Sequence, residues 1–77
     1  LQNPIKGDYI ELMLKSDETK TAHIELYNIL GQRLKTYNFI SLNVGKNRLR
    51  LNVERISPGI YFLKADGKYV GKVVKVR

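Results

Sequence analysis

Residues 59–76 read GIYFLKADGKYVGKVVKV, and this stretch decides the fold class. Two apolar runs, Ile60–Ala65 and Val70–Val76, flank Asp66-Gly67. Asp-Gly between strand-like runs is a strong hairpin signal, because glycine accepts the positive φ that a type I′ turn demands. Ile60–Ala65 is apolar on both faces, as a central strand is. Val70–Val76 alternates less cleanly. It reads as a closing strand of valines whose lysines, Lys72 and Lys75, point to water.

The same period of two continues upstream. Ile10, Leu12 and Leu14 alternate with Glu11 and Met13. Ala22, Ile24 and Leu26 alternate with His23, Glu25 and Tyr27. Asn47, Leu49, Leu51 and Val53 alternate with Lys46, Arg48, Arg50 and Asn52. Each run predicts a strand with one face on a core and the other in water. Gln32–Phe39 is less regular, with Leu34, Tyr37 and Phe39 on both faces, and a bend within Leu34–Ile40 would split it. Turn residues separate the runs: Asn3-Pro4 at the opening, then Ser16–Thr19, Asn28–Gly31, Asn43–Gly45 and Ser57–Gly59. Pro58-Gly59 fits the central positions of a type II turn. No stretch carries a clean helical stripe. The expected fold is all-β: a small antiparallel Ig-like β-sandwich of six or seven strands without substantial helix, residues 1–77 forming a single domain. Ile10, Leu12, Ile24, Leu26, Leu49, Leu51, Tyr61 and Leu63 are the expected core.

Composition narrows the function. A chain of 77 residues buries only about 60–65% of its unfolded surface. So small a body has little room for an enzyme cleft, and the chain is not expected to be an enzyme. Its 43% hydrophobic content is that of a folded domain. The absence of cysteine removes disulfides, thiolate metal sites and cysteine nucleophiles. No apolar stretch approaches the length of a membrane-spanning helix. Net charge is +7, from 14 Lys and Arg against 7 Asp and Glu. That balance fits either a binder of nucleic acid or an acidic surface, or a solvated sheet face; without a binding motif the solvated face is preferred.

The residues that carry chemistry do not assemble into a site. His23 points away from the apolar face of its strand, and its candidate co-ligands are only Asp and Glu. The carboxylates are scattered, with no Ca-loop spacing and no acid/base pair placed across a cleft. The glycines never cluster as a phosphate-cradling loop requires. No catalytic, metal or cofactor residues are assigned, and no cofactor is expected. Five tyrosines and two phenylalanines, interleaved with lysine and arginine, invite comparison with single-strand nucleic-acid platforms. An RNA-recognition sheet would set several aromatics on one exposed face framed by helices, and no helices are evident, so aromatic core and rim packing is the better account and no nucleic-acid partner is expected.

Four islands resemble, in order, the type A C-terminal sorting domain of the type IX (Por) secretion system of Bacteroidetes-type bacteria. The first is Leu1-Gln2-Asn3-Pro4, which keeps the Asn-Pro of the family's opening. The second is Ile24-Glu25-Leu26-Tyr27-Asn28-Ile29-Leu30-Gly31, similar to the family's strand running into an Asn-x-x-Gly turn. The third is Gly45-Lys46-Asn47 followed by Ile56-Ser57-Pro58-Gly59-Ile60-Tyr61-Phe62, similar to Gly-x-Asn and then Leu-x-x-Gly-Ile-Tyr-Phe, with Ile56 where leucine is usual. The fourth is Lys72-Val73-Val74-Lys75-Val76-Arg77, similar to the family's basic-apolar terminus.

The resemblance implies a sorting signal at the end of a larger exported protein. The implied partners are an upstream cargo domain and the machinery of the periplasm and outer membrane, including a surface sortase that usually removes the domain. The implied route runs through the periplasm to the cell surface or medium. The expected recognition residues are Pro58, Gly59, Ile60, Tyr61 and Phe62, with Lys72, Val73, Val74, Lys75, Val76 and Arg77. An exposed strand edge offers a place for strand addition by a partner, or for a dimer. The alternative reading is an accessory β-sandwich module that binds carbohydrate or protein.

Overall fold

Asp66 and Gly67 both take positive φ, 50° and 81°, and close a two-residue hairpin as their sequence demands. The structure, a computed structural model, describes residues 7–76. The opening Asn3-Pro4 and the terminal Arg77 lie outside the described residues. In chain order the strands are β1 (Tyr9–Ser16), β2 (Lys20–Asn28), β3 (Arg33–Leu42), β4 (Gly45–Asn52), β5 (Gly59–Ala65) and β6 (Lys68–Lys75). All pairings are antiparallel, and no helix occurs among the described residues.

The strands form two sheets, β1-β4 and β3-β2-β5-β6. Their facing apolar sides make one core. Ile10, Leu12, Leu51 and Val53 come from the first sheet and its end, and Ile24, Leu26, Tyr61, Leu63 and Val73 from the second. Each fully buried Leu or Ile contributes roughly 1.5–3 kcal/mol. The expected core is buried except Leu49, which is half-buried and packs against it.

The irregular stretch after Gln32 is one strand rather than two. Ala22 pairs with Ile40 and Ile24 with Tyr37, so β3 carries one extra residue opposite His23. Phe39 takes φ 58° there and is swung outward. A second shift lies between Leu26, paired with Lys35, and Tyr27, paired with Arg33. Two bulges therefore change the phase of β3 without breaking it, which is why its apolar residues looked two-faced.

Pro58-Gly59 does not form the expected type II turn. Gly59 has φ 158°, close to fully extended, and is already the first residue of β5, paired with Lys75. The change of sheet is made earlier, at Glu54-Arg55, where Arg55 takes φ 64°. Side chains tie down both connections that flank β4. Asn47 Oδ1 accepts from Asn43 N at 2.8 Å, while its Nδ2 donates to the carbonyls of Asn43 and Gly45. Beyond β4, the Tyr37 hydroxyl donates to the Asn52 carbonyl, and Asn52 Oδ1 accepts from Glu54 N at 2.8 Å.

Candidate recognition surface

The Gly59–Phe62 part of the third island and the Lys72–Lys75 part of the fourth run side by side on the two arms of the Asp66-Gly67 hairpin. Gly59 pairs with Lys75, Ile60 with Val74, Tyr61 with Val73, and Phe62 with Lys72. Antiparallel pairing puts partners on the same face, so this ladder sorts the expected recognition residues into two sets. Tyr61, Val73 and Lys75 point inward and are buried. Ile60, Phe62, Lys72 and Val74 point outward; Ile60 and Lys72 are exposed, Phe62 and Val74 half-buried. Pro58 and Val76 are exposed beyond the strand ends.

The inward set has structural work. The Tyr61 hydroxyl donates to the Ser57 carbonyl, fixing the approach to β5. Lys75 departs from the sequence expectation: it is 5% exposed, not solvent-facing. Its Nζ donates to the carbonyls of Val53 at 3.1 Å and Ile56 at 2.7 Å. Those carbonyls lie in the connection beyond the end of β4, and a lysine reaching from the adjacent sheet supplies the donors. The inward phase of β6 thus ends on a lysine, while Val74 and Val76 face out.

The second island joins the same end of the sheet, which sequence reasoning missed. Tyr27 pairs with Phe62 and Asn28 with Tyr61. The chain then turns, with Gly31 N donating to the Asn28 carbonyl at 3.0 Å. Asn28 Oδ1 accepts from Leu30 N at 2.9 Å and Gln32 N at 3.0 Å, and Asn28 Nδ2 donates to Gln32 Oε1 at 2.8 Å. Held by this asparagine, Ile29 and Leu30 are 68% and 78% exposed. Between this turn and Pro58–Ile60 lies an open hollow of about 470 Å³. The Asn-x-x-Gly signature was visible in the sequence, but only the β2–β5 register places it beside Ile60.

Across the outer side of the four-stranded sheet runs an aromatic row, Tyr27, Phe62 and Tyr69. The Phe62 and Tyr69 rings are 6.4 Å apart, and Lys64 Nζ lies 4.8 Å from the centre of the Tyr27 ring. Core packing of aromatics holds for Tyr61 and, in part, for Tyr37; the others line outer faces and rims. Glu25 accepts from Arg33 Nη1 at 2.9 Å and from the Tyr27 hydroxyl at 3.1 Å. The Arg33 hydrogen bond, followed by that of Tyr27, holds the Glu25 carboxyl below the usual carboxylate range. His23 is exposed on the same side, its ring edge against Phe39 at 5.6 Å. Among the described residues no three His, Cys, Asp or Glu side chains gather as a metal site would require.

Residues 3–76 match the family described as secretion system C-terminal sorting domain. The chain belongs to this family. It is a non-catalytic sorting domain of the type IX (Por) secretion system, a tail whose family implies interaction with that machinery and export toward the outer membrane. The comparison with curated proteins gives no significant match. The second island, the Ile56–Phe62 part of the third and the fourth meet at one end of the four-stranded sheet of this sorting domain, where β2 ends, β5 begins and β6 ends, whereas Gly45-Lys46-Asn47 opens β4 in the other sheet.

Proposed function

We propose that residues 1–77 form the folded tail of a larger exported protein. In this reading the machinery recognises the tail in the periplasm, and a surface sortase removes it once the cargo has crossed the outer membrane. The observation that carries the proposal is the family match over residues 3–76. The fold supports it: a core built without cysteine from two sheets needs no contribution from a cargo domain. A signal read while folded has to be such a unit. The test fuses residues 1–77 to the C-terminus of a passive reporter carrying a general-export signal peptide, in a host with type IX secretion. Surface or medium delivery of the reporter is the expected result. A fusion that stays in the periplasm while an authentic sorting domain leaves it would overturn the proposal.

A further inference from the structure

We propose that the end of the four-stranded sheet bearing Leu30, Pro58 and Ile60 docks a partner protein that sets an apolar side chain into the hollow there and carboxylates over Lys64 and Lys72. The inference rests on the sorting reading and gives that reading a surface and a partner chemistry.

The apolar part is held in place by hydrogen bonds on both of its sides. Leu30 and Ile29 project from a turn whose backbone N–H groups at Leu30 and Gln32 are both held by Asn28 Oδ1. Ile60, 45% exposed, faces the same hollow from β5, and Pro58 precedes it on a segment fixed by the Tyr61 hydroxyl at Ser57. Exposed apolar side chains that are contiguous mark interaction sites more often than isolated ones do. A surface already ordered loses little conformational freedom when it binds.

Charge selects the occupant. Lys72 stands on the outer face opposite Phe62, two residues along β5 from Ile60, and Lys64 two residues further on with its Nζ over the Tyr27 ring; the whole chain carries +7. Among the described residues, the strands present one carboxylate on that face, Glu25, and it is engaged by Arg33 and Tyr27. A second copy would bring the same cations against these, and like charge opposes that pairing. An acidic protein surface complements it. The hollow between two turns suits a single inserted side chain, whereas a lipid surface supplies headgroups and no such anchor.

The test uses the reporter fusion of the full chain. Leu30→Ser with Ile60→Ser removes exposed apolar groups and no core contact, so the purified chain should keep its circular dichroism spectrum. Export should fall about ten-fold or more, as expected when anchoring side chains are lost. Lys64→Glu with Lys72→Glu should lower export as well. Met13→Ser, which changes a 47% exposed residue on the opposite sheet, should export like the unaltered chain. If the apolar double variant loses its fold, Leu30→Ser alone carries the test. A folded apolar variant exported at the normal level overturns the docking surface while leaving the sorting reading intact; failure of the unaltered fusion overturns the sorting reading itself. Charge reversal without effect overturns the acidic partner. Sedimentation showing a dimer that Leu30→Ser with Ile60→Ser dissolves would give the face to a second copy. Binding to phosphatidylglycerol vesicles abolished by the same variant would give it to lipid. Either of these results overturns the proposal.

Discussion

Replacing Lys75 by methionine isolates what its ammonium does. Methionine keeps most of the apolar stem but removes the donors that serve the Val53 and Ile56 carbonyls at 3.1 and 2.7 Å. A buried acceptor left without a partner costs about 1–3 kcal/mol. Val53 is fully buried and Ile56 half-buried, so the first carbonyl should take most of that cost and the second less. Relief from burying a charge works in the opposite direction. The balance should be a loss of about 2 kcal/mol for Lys75→Met, and about 3 kcal/mol for Lys75→Ala, which also removes the packed stem. In a domain of this size 1 kcal/mol corresponds to roughly 4–8 °C in melting temperature. Thermal unfolding followed by circular dichroism should therefore drop by about 8–16 °C for Lys75→Met. Lys72→Ala, on the exposed side of the same strand, should stay within about 0.5 kcal/mol of the unaltered chain. If Lys75→Met melts with the unaltered chain or above it, the ammonium does not hold the connection. The outcome also governs how truncation is read. Deleting the terminal segment removes Lys75 and Val73, so export lost that way would report unfolding as well as lost recognition.

Leu51→Ala should cost about 2–5 kcal/mol, since the side chain is 2% exposed in the core, and an unchanged urea midpoint would show that β4 presents its other face. Acid should destabilise the domain through Glu25 and Asp66, whose carboxyls are held low by the Arg33 hydrogen bond and by the His23 backbone N–H respectively. Because their folded values are depressed, this stability is present above the ordinary carboxylate range and is lost as pH falls through the folded values; Glu25→Gln should flatten that acid limb of melting temperature against pH. At the alkaline end, burial pushes the Tyr37 hydroxyl up to about 12. The stability tied to its protonated form is complete below the ordinary tyrosine value and declines as pH rises toward 12, so Tyr37→Phe should shift the alkaline limb in the same assay.

Six strands, their antiparallel pairing and most of the core were legible because alternation of side chains at period two is a local property. The Asp66-Gly67 hairpin was legible for the same reason, since two adjacent residues set its φ values. Pro58-Gly59 misled because its dipeptide preference was overridden: Gly59 is drawn into the ladder with Lys75. The irregularity of β3 showed in the sequence as a bend within Leu34–Ile40, but not as bulges, because an extra residue has meaning only against a partner strand. Lys75 was misplaced because composition assigns lysine to water, whereas its surroundings place two carbonyls within reach of its Nζ.

The sequence by itself determined the fold class and, through its islands, the family: strand period, turn chemistry and motif order are all written along the chain. The tertiary structure alone decided which members of those islands face outward. It did so by pairing Tyr27 with Phe62 and Asn28 with Tyr61, across a sequence separation that local pattern cannot bridge, and so setting the β5–β6 hairpin beside β2. Register is fixed by burying one face of each strand against the opposite sheet. Once that face is buried, the surface left outside, from Leu30 across Ile60 to Lys72, follows from the packing rather than from any one segment.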